Sequence, residues 1–174
     1  DMYLVQAIDS VLNQTYSNWE LIFWDNQSTD NSAKIIKSYN DERIKYFFAD
    51  SFTKLGEARN LAVKNATGEW LSFLDTDDFW DKDKIKESIV SIVNSKEKEI
   101  SLVYSKTSLI DEKNKKIGYY TRCDSGYIHD KLLCDNNFIV QSSIMVKKDI
   151  FHKVGGINNQ LGFCPDYDLL LKIT

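Results

Sequence analysis

The stretch EWLSFLDTDDFW, residues 69–80, joins a short apolar run to a group of closely spaced carboxylates. The carboxylates belong to Asp75, Asp77 and Asp78, and apolar side chains stand on both sides of them. Neighbouring like charges repel one another, and burying an unpaired carboxylate costs free energy. A bound cation would remove this conflict, so the stretch predicts a buried strand that ends at a cation-binding site.

Strand-like and helix-like segments alternate on both sides of this stretch. The strand-like runs are short and rich in aromatic and β-branched residues, and the helix-like runs place apolar residues three or four positions apart. This alternation predicts an α/β fold with a mostly parallel central sheet and helices on both faces. The predicted strands are 19–25, 43–50, 69–75 and 99–110, and the predicted helices are 3–14, 28–40, 56–68 and 81–95.

After residue 110 the alternation fades, which predicts an irregular, antiparallel second half. The segments there are a hairpin with a charged turn at 111–120, a helix at 126–137, a strand at 138–146, and helices at 147–156 and 166–174.

Composition excludes several classes of protein. The formal net charge is −4 and no basic cluster is present, so we expect no nucleic-acid partner. The apolar runs are far shorter than the ~20 residues that cross a bilayer. The three cysteines form no CxxC pair, which favours reduced thiols in the cytoplasm. Because the chain begins and ends inside helical patterns, we expect a fragment of a longer protein.

Each candidate site residue has a structural alternative. Asp77, Asp78 or Asp81 could cap the next helix, but three acids in four positions exceed what capping needs, and oxygen ligands suit Mg²⁺ or Mn²⁺. Asp25 and Asn26 follow a strand, where they could bind a base or ribose or could form a turn. Arg59 could form a surface ion pair or could face the acidic site. Asp166 could cap a helix or could act as a general base.

Five segments resemble family 2 glycosyltransferases of the GT-A fold, in the family's order and spacing. VGGIN resembles the family's late glycine pair, and DYDLLLKI resembles its acid-bearing late helix. The segments are AIDSVLNQTYSNWELI (7–22), DNQSTDNSAKII (25–36), GEARNLAVKNATGEWLSFLDTDDFW (56–80), VGGIN (154–158) and DYDLLLKI (166–173).

The resemblance implies an inverting enzyme that moves a sugar from a nucleotide-diphosphate sugar, expected to be a UDP-sugar, to an acceptor hydroxyl. It implies Mn²⁺ or Mg²⁺ as cofactor and a saccharide or lipid-linked acceptor. It also implies surface polysaccharide or glycoconjugate synthesis, in the cytoplasm or at the inner face of the membrane. The implied roles are nucleotide binding for Asp25, Asn26, Arg59, Asp75 and Asp77, metal binding for Asp77 and Asp78, and catalysis for Asp166.

In this interpretation residues 1–174 are one truncated domain, with a nucleotide-sugar-binding half at 1–110 and an acceptor-side half at 111–174. The sequence departs from the family at Asn26, where an acid is usual, and at Pro165, where many members carry glutamate. The family's first strand would precede Asp1. Two other functions remain open: a phosphohydrolase of the haloacid dehalogenase type, which also ends a strand in DxD, and a non-catalytic nucleotide-sugar-binding module.

Overall fold

A computed structural model of the chain describes residues 2–97, 99–135 and 137–174. Helices and strands alternate in its first half, as the sequence predicts. The helices are α1 Leu4–Leu12, α2 Ser32–Lys37, α3 Leu55–Lys64, α4 Lys84–Val93, α5 His129–Asp135, α6 Lys148–Lys153 and α7 Pro165–Ile173. The strands are β1 Leu21–Asp25, β2 Ile44–Phe48, β3 Trp70–Ser72, β4 Leu102–Tyr104, β5 Thr107–Ile110, β6 Lys116–Tyr120 and β7 Ile144–Lys147.

The strands form three groups, and this arrangement confirms the α/β class. β1 and β2 are parallel, β3–β7–β4 is antiparallel, and β5–β6 is an antiparallel hairpin. The parallel share is smaller than the alternation predicts. The reason is that β7, from the second half of the chain, lies between β3 and β4 and runs against both of them.

The observed strands are all shorter than the predicted ones, and two of the predicted strands also change in form. The 99–110 run is divided into β4 and β5 by the polar pair Ser105 and Lys106. The 138–146 run contains a 3₁₀ turn at Gln141–Ser143 before β7, and the Ser143 hydroxyl bonds locally to the Val140 carbonyl, which competes with the sheet ladder. The predicted 126–137 helix forms at α5, and Asn136 lies outside the described residues.

An apolar slot separates the two main groups of strands. Within the described residues β1 pairs only with β2, and β3 pairs only with β7, so each strand has one unpaired edge. Between these edges lies a cavity of about 1140 Å³ lined by apolar side chains of α1, α3 and α4. Unpaired strand edges next to apolar surface are suited to receiving a further strand.

The C-terminal helix α7 is fixed to this sheet by two buried leucines. Leu169 packs with Leu71 of β3 and Val146 of β7, and Leu170 packs with Ile144. Both leucines are fully buried. The start of α7, which carries Asp166, is therefore held on the β3–β7 pair.

Glu20 connects the two sides of the slot. It immediately precedes β1, and its Oε1 accepts hydrogen bonds from the backbone N–H groups of Thr67 (2.5 Å) and Gly68 (2.9 Å), just before β3. Its Oε2 accepts from Lys45 at 2.6 Å. Partial burial opposes ionisation of Glu20, but these hydrogen bonds outweigh it and lower its pKa from 4.5 to about 2.

We expect Glu20→Gln to lower the free energy of unfolding at pH 7 by about 1–3 kcal/mol, because a charged acceptor of several hydrogen bonds is lost. The folded pKa is depressed, so the wild-type contribution is fully present above pH 4.5 and is lost as pH falls towards 2. Urea unfolding at pH 7, 4 and 3 measures this. Glu42→Gln, at an exposed position, is the control. A Glu20→Gln variant that matches this control at pH 7 contradicts the prediction.

Candidate active site

The acidic loop, residues 75–80, leads from β3 towards α4 without capping it. α4 begins at Lys84, its N-cap residue is Asp83, and no side chain caps it. Asp81 instead accepts a hydrogen bond from the backbone N–H of Asp83 at 3.1 Å. The capping alternative is therefore wrong for Asp77 and Asp78, and the loop needs another explanation.

The three carboxylates of the loop have different surroundings. Asp75 forms an ion pair with Arg59, whose side chain is only 14% exposed. Asp78 accepts a hydrogen bond on Oδ2 from the Ser142 hydroxyl at 2.6 Å. Asp77 is exposed and has no hydrogen-bond or ion-pair partner among the described residues. Arg59 therefore neutralises Asp75, while the charges of Asp77 and Asp78 remain unbalanced.

A divalent cation fits the oxygen ligands that Asp77 and Asp78 offer. Mg²⁺ and Mn²⁺ bind carboxylates and usually complete their coordination with water and substrate phosphates. No group of three potential metal ligands occurs in the described part of the chain. Two carboxylates are thus available, and metal binding by them stays a prediction.

The two candidates at the end of β1, Asp25 and Asn26, differ in their surroundings. Asp25 is 1% exposed, and its oxygens accept hydrogen bonds from the Ser28 N–H (2.7 Å) and the Tyr46 hydroxyl (2.8 Å). Burial and this bond to Asp25 raise the pKa of Tyr46 to about 12. Asn26 lines the cavity, but its amide donates to the Thr53 carbonyl at 2.7 Å and accepts from the Thr53 N–H at 3.1 Å. Asp25 supports the turn, and direct base contacts by either residue stay a prediction.

The two acids at the start of helix α7 have different surroundings. Pro165 is the first residue of this helix, one residue before the predicted start. Asp168 pairs with Lys172 one turn later, at 2.6 Å. Asp166 is partly buried and has no hydrogen-bond or ion-pair partner among the described residues. Asp166 is therefore the acid of this helix whose carboxylate remains available for chemistry.

Four of the predicted residues line the cavity: Asn26, Arg59, Asp75 and Asp77. Asn26 directly follows β1, Asp75 lies shortly after β3 and Arg59 contacts Asp75, so these residues form the polar end of the cavity. Ligands of open α/β sheets bind beyond the carboxyl ends of the strands, and this polar end occupies that place. Asp78 and Asp166 lie outside the lining of this cavity.

The sequence did not single out Asn60, which fixes the loop before α7. Its amide donates to the Ile157 carbonyl at 2.8 Å, and its Oδ1 accepts from the Ile157 N–H at 3.0 Å. Gly156 permits this approach, because its φ is +68° and a Cβ there would lie 2.7 Å from the Asn60 Oδ1. In the sequence, the glycine pair before Ile157 was the feature that could have indicated this close contact.

Lys84 is a second unexpected residue, buried behind the acidic loop. Its Nζ donates to the Ser72 hydroxyl at 3.1 Å and to the Ile144 carbonyl at 3.3 Å, and it lies 4.2 Å from the centre of the Trp80 ring. Burial lowers the pKa of Lys84 to about 7. It thus connects α4 to β3, to β7 and to the end of the acidic loop.

Comparison with known proteins gives a family and longer relatives. The sequence profile described as Glycosyl transferase family 2 matches residues 2–155. An uncharacterised glycosyltransferase of Rickettsia typhi is 33% identical over 98% of this chain and 54% of its own length. The Escherichia coli UDP-Glc:alpha-D-GlcNAc-diphosphoundecaprenol beta-1,3-glucosyltransferase is 36% identical over 60% of this chain and 40% of its own length. The chain thus spans about half or less of these relatives.

Solved structures share the fold. Residues 1–349 of Staphylococcus aureus TarS in complex with UDP superpose with a TM-score of 0.67 at 17% identity, over 97% of this chain and 50% of that one. The mannosyltransferase of Pyrobaculum calidifontis in complex with GDP-Man and Mn²⁺ gives 0.72 at 15% identity, over 99% and 48%. These likenesses confirm the GT-A fold. Together with the profile match over most of its length, they lead to the conclusion that this chain belongs to glycosyltransferase family 2.

Proposed function

We propose that the protein transfers a sugar from a UDP-sugar to an acceptor hydroxyl, with inversion and with help from a divalent cation. The observation that carries this proposal is the polar end of the cavity. Asn26, Arg59, Asp75 and Asp77 line it beyond the carboxyl ends of β1 and β3, and Arg59 contacts Asp75. Two solved structures with this fold support the proposal, since one contains UDP and the other contains GDP-Man and Mn²⁺.

The proposed reaction is one in-line displacement at the anomeric carbon. The acceptor oxygen forms a bond to that carbon, the bond to the diphosphate oxygen breaks, and the nucleoside diphosphate leaves with the electron pair. Asp166 accepts the proton of the acceptor hydroxyl. Asp77 and Asp78 would hold the cation, which supplies positive charge against the charge that develops on the leaving diphosphate. Arg59 keeps Asp75 in place at the nucleotide.

The acceptor side is proposed to come from residues 111–174, because α7 and Asp166 belong to this half. The name of the E. coli relative describes a diphosphoundecaprenol-linked acceptor, which supports a lipid-linked saccharide as the acceptor. Among the described residues no helix has the length and apolar content of a membrane span. We also propose that the protein acts in the cytoplasm or at the inner face of the membrane, in surface polysaccharide assembly.

The apolar part of the slot has a separate proposed role. We propose that a strand preceding Asp1 pairs with the free edges of β1 and β3 in the longer protein. This strand would cover the apolar faces of α1, α3 and α4 and would form one wall of the nucleotide site. The full-length protein should accordingly bind nucleotide more tightly than residues 1–174 alone.

A thermal-shift panel on the full-length protein tests the proposed function. UDP with Mn²⁺ should raise the melting temperature more than UDP or Mn²⁺ alone, and more than GDP with Mn²⁺, since bound ligand stabilises the folded state. Incubation with UDP-sugars and lipid-linked saccharides then tests transfer. Donor binding without turnover would favour a non-catalytic module. Release of phosphate from phosphomonoesters without any nucleotide sugar would favour a phosphohydrolase instead.

A further inference from the structure

Ser142 lies opposite the start of the acidic loop because of the register of β3 and β7. The pair is antiparallel, with Trp70 opposite Lys147 and Ser72 opposite Met145. Continuing this register by three residues places Asp75 opposite Ser142. The backbone N–H of Asp75 indeed donates to the Ser142 hydroxyl oxygen at 3.1 Å.

Ser142 also contacts the rest of the loop. Its hydroxyl donates to Asp78 Oδ2 at 2.6 Å, and its carbonyl accepts from the indole N–H of Trp80 at 2.7 Å. The residue is 6% exposed, so water has little access to replace these bonds. One residue thus contacts the loop at its beginning, at a proposed metal ligand and at its end.

Arg59 and Ser142, which contact the carboxylates of the acidic loop, have different effects on the charge of those carboxylates. Arg59 brings positive charge to Asp75, which lowers the attraction of that carboxylate for a cation. The Ser142 hydroxyl is neutral, so it orients Asp78 without cancelling its charge. It also engages only Oδ2, and among the described residues Oδ1 of Asp78 has no hydrogen-bond donor.

We propose that Ser142 is a positioning residue that holds the carboxylate of Asp78 in the orientation required for metal binding. This inference rests on the proposed function, and Ser142 acts through Asp78 without contacting the donor. Partners that orient metal ligands commonly contribute 10–100-fold to metal affinity.

Ser143 provides a matched control in the same 3₁₀ turn. It is 5% exposed, and its hydroxyl donates to the Val140 carbonyl at 2.7 Å. It has no hydrogen bond to the acidic loop. Ser143→Ala therefore removes a buried hydroxyl next to Ser142 while leaving the orientation of Asp78 unchanged.

The test measures Mn²⁺ binding directly, by electron paramagnetic resonance of free Mn²⁺ titrated into the full-length protein at saturating UDP. Ser142→Ala should weaken Mn²⁺ binding about 10–100-fold, whereas Ser143→Ala should leave it at the wild-type value. Ser142→Thr, which keeps the hydroxyl, should restore most of the affinity. Binding of UDP without metal should be the same in all of these variants.

A double-mutant cycle with Asp78→Ala separates positioning from a general structural effect. Without the carboxylate, Ser142→Ala should cause no further loss of Mn²⁺ affinity. Wild-type Mn²⁺ affinity in Ser142→Ala, an equal loss in Ser143→Ala, or an additive loss in the double variant would each overturn the inference. If the wild-type protein bound neither UDP nor Mn²⁺, the proposed function itself would be contradicted.

Discussion

Replacement of Asp166 by asparagine should lower the rate of sugar transfer by about 100-fold or more, while the affinity for the donor stays unchanged. An inverting displacement needs a base on the side of the anomeric carbon opposite the diphosphate. Asp166 lies in the first turn of α7, behind Pro165, which can begin a helix because it needs no N–H acceptor there. Its carboxylate has no protein partner among the described residues, so it is free to accept a proton.

Asp168→Asn is the matched control, since it removes an acid from the same turn. Asp168 already pairs with Lys172 at 2.6 Å, and an i,i+4 pair on a helix contributes only about 0.2–0.5 kcal/mol. This variant should lose a little stability and keep its transfer rate. Transfer is measured with the UDP-sugar identified by the binding panel, and donor affinity is measured by calorimetry. If Asp166→Asn is active and Asp168→Asn is inactive, Asp168 is the base. If both variants are active, the general base does not lie on α7.

Replacement of Asp78 by alanine should remove most of the metal dependence of nucleotide binding, because only Asp77 and the diphosphate would still offer ligands. In the wild-type protein we expect Mn²⁺ and UDP to bind weakly alone and tightly together, because the diphosphate completes a coordination shell that two carboxylates begin. Without Asp78 the affinity for UDP should be only slightly higher with Mn²⁺ than without it. The loss of Mn²⁺ affinity at saturating UDP should exceed the 10–100-fold typical of residues that only orient a ligand.

Asp81→Ala is the control for Asp78, since it removes the same charge three residues later. Among the described residues the Asp81 carboxylate bonds only to the N–H of Asp83, and Asp81 is exposed. Circular dichroism and melting temperature should show both variants folded. UDP binding that keeps its full Mn²⁺ dependence in Asp78→Ala would show that the metal is bound elsewhere or that none is used.

The sequence by itself determined the order of elements, the fold class and the family. Periodic apolar residues and short β-branched runs are local signals, and they placed α1 to α4 and the strands between them within a few residues. The signal for α7 was equally local, since Pro165 and the buried pair Leu169 and Leu170 mark its start and its inner face. The carboxylates of the acidic loop were conspicuous because three like charges stood together beside an apolar run.

Only the tertiary structure decided which side chain contacts each carboxylate of that loop. Arg59 is 16 residues from Asp75 in the chain, and Ser142 is 64 residues from Asp78. Such partners are set by strand register and helix packing, which single-sequence patterns do not encode. The insertion of β7 between β3 and β4 is a non-local pairing of the same kind, and it made the sheet less parallel than the alternation predicts. That insertion also brings Ser142 opposite Asp75, so the contact that orients Asp78 follows from the pairing of distant strands.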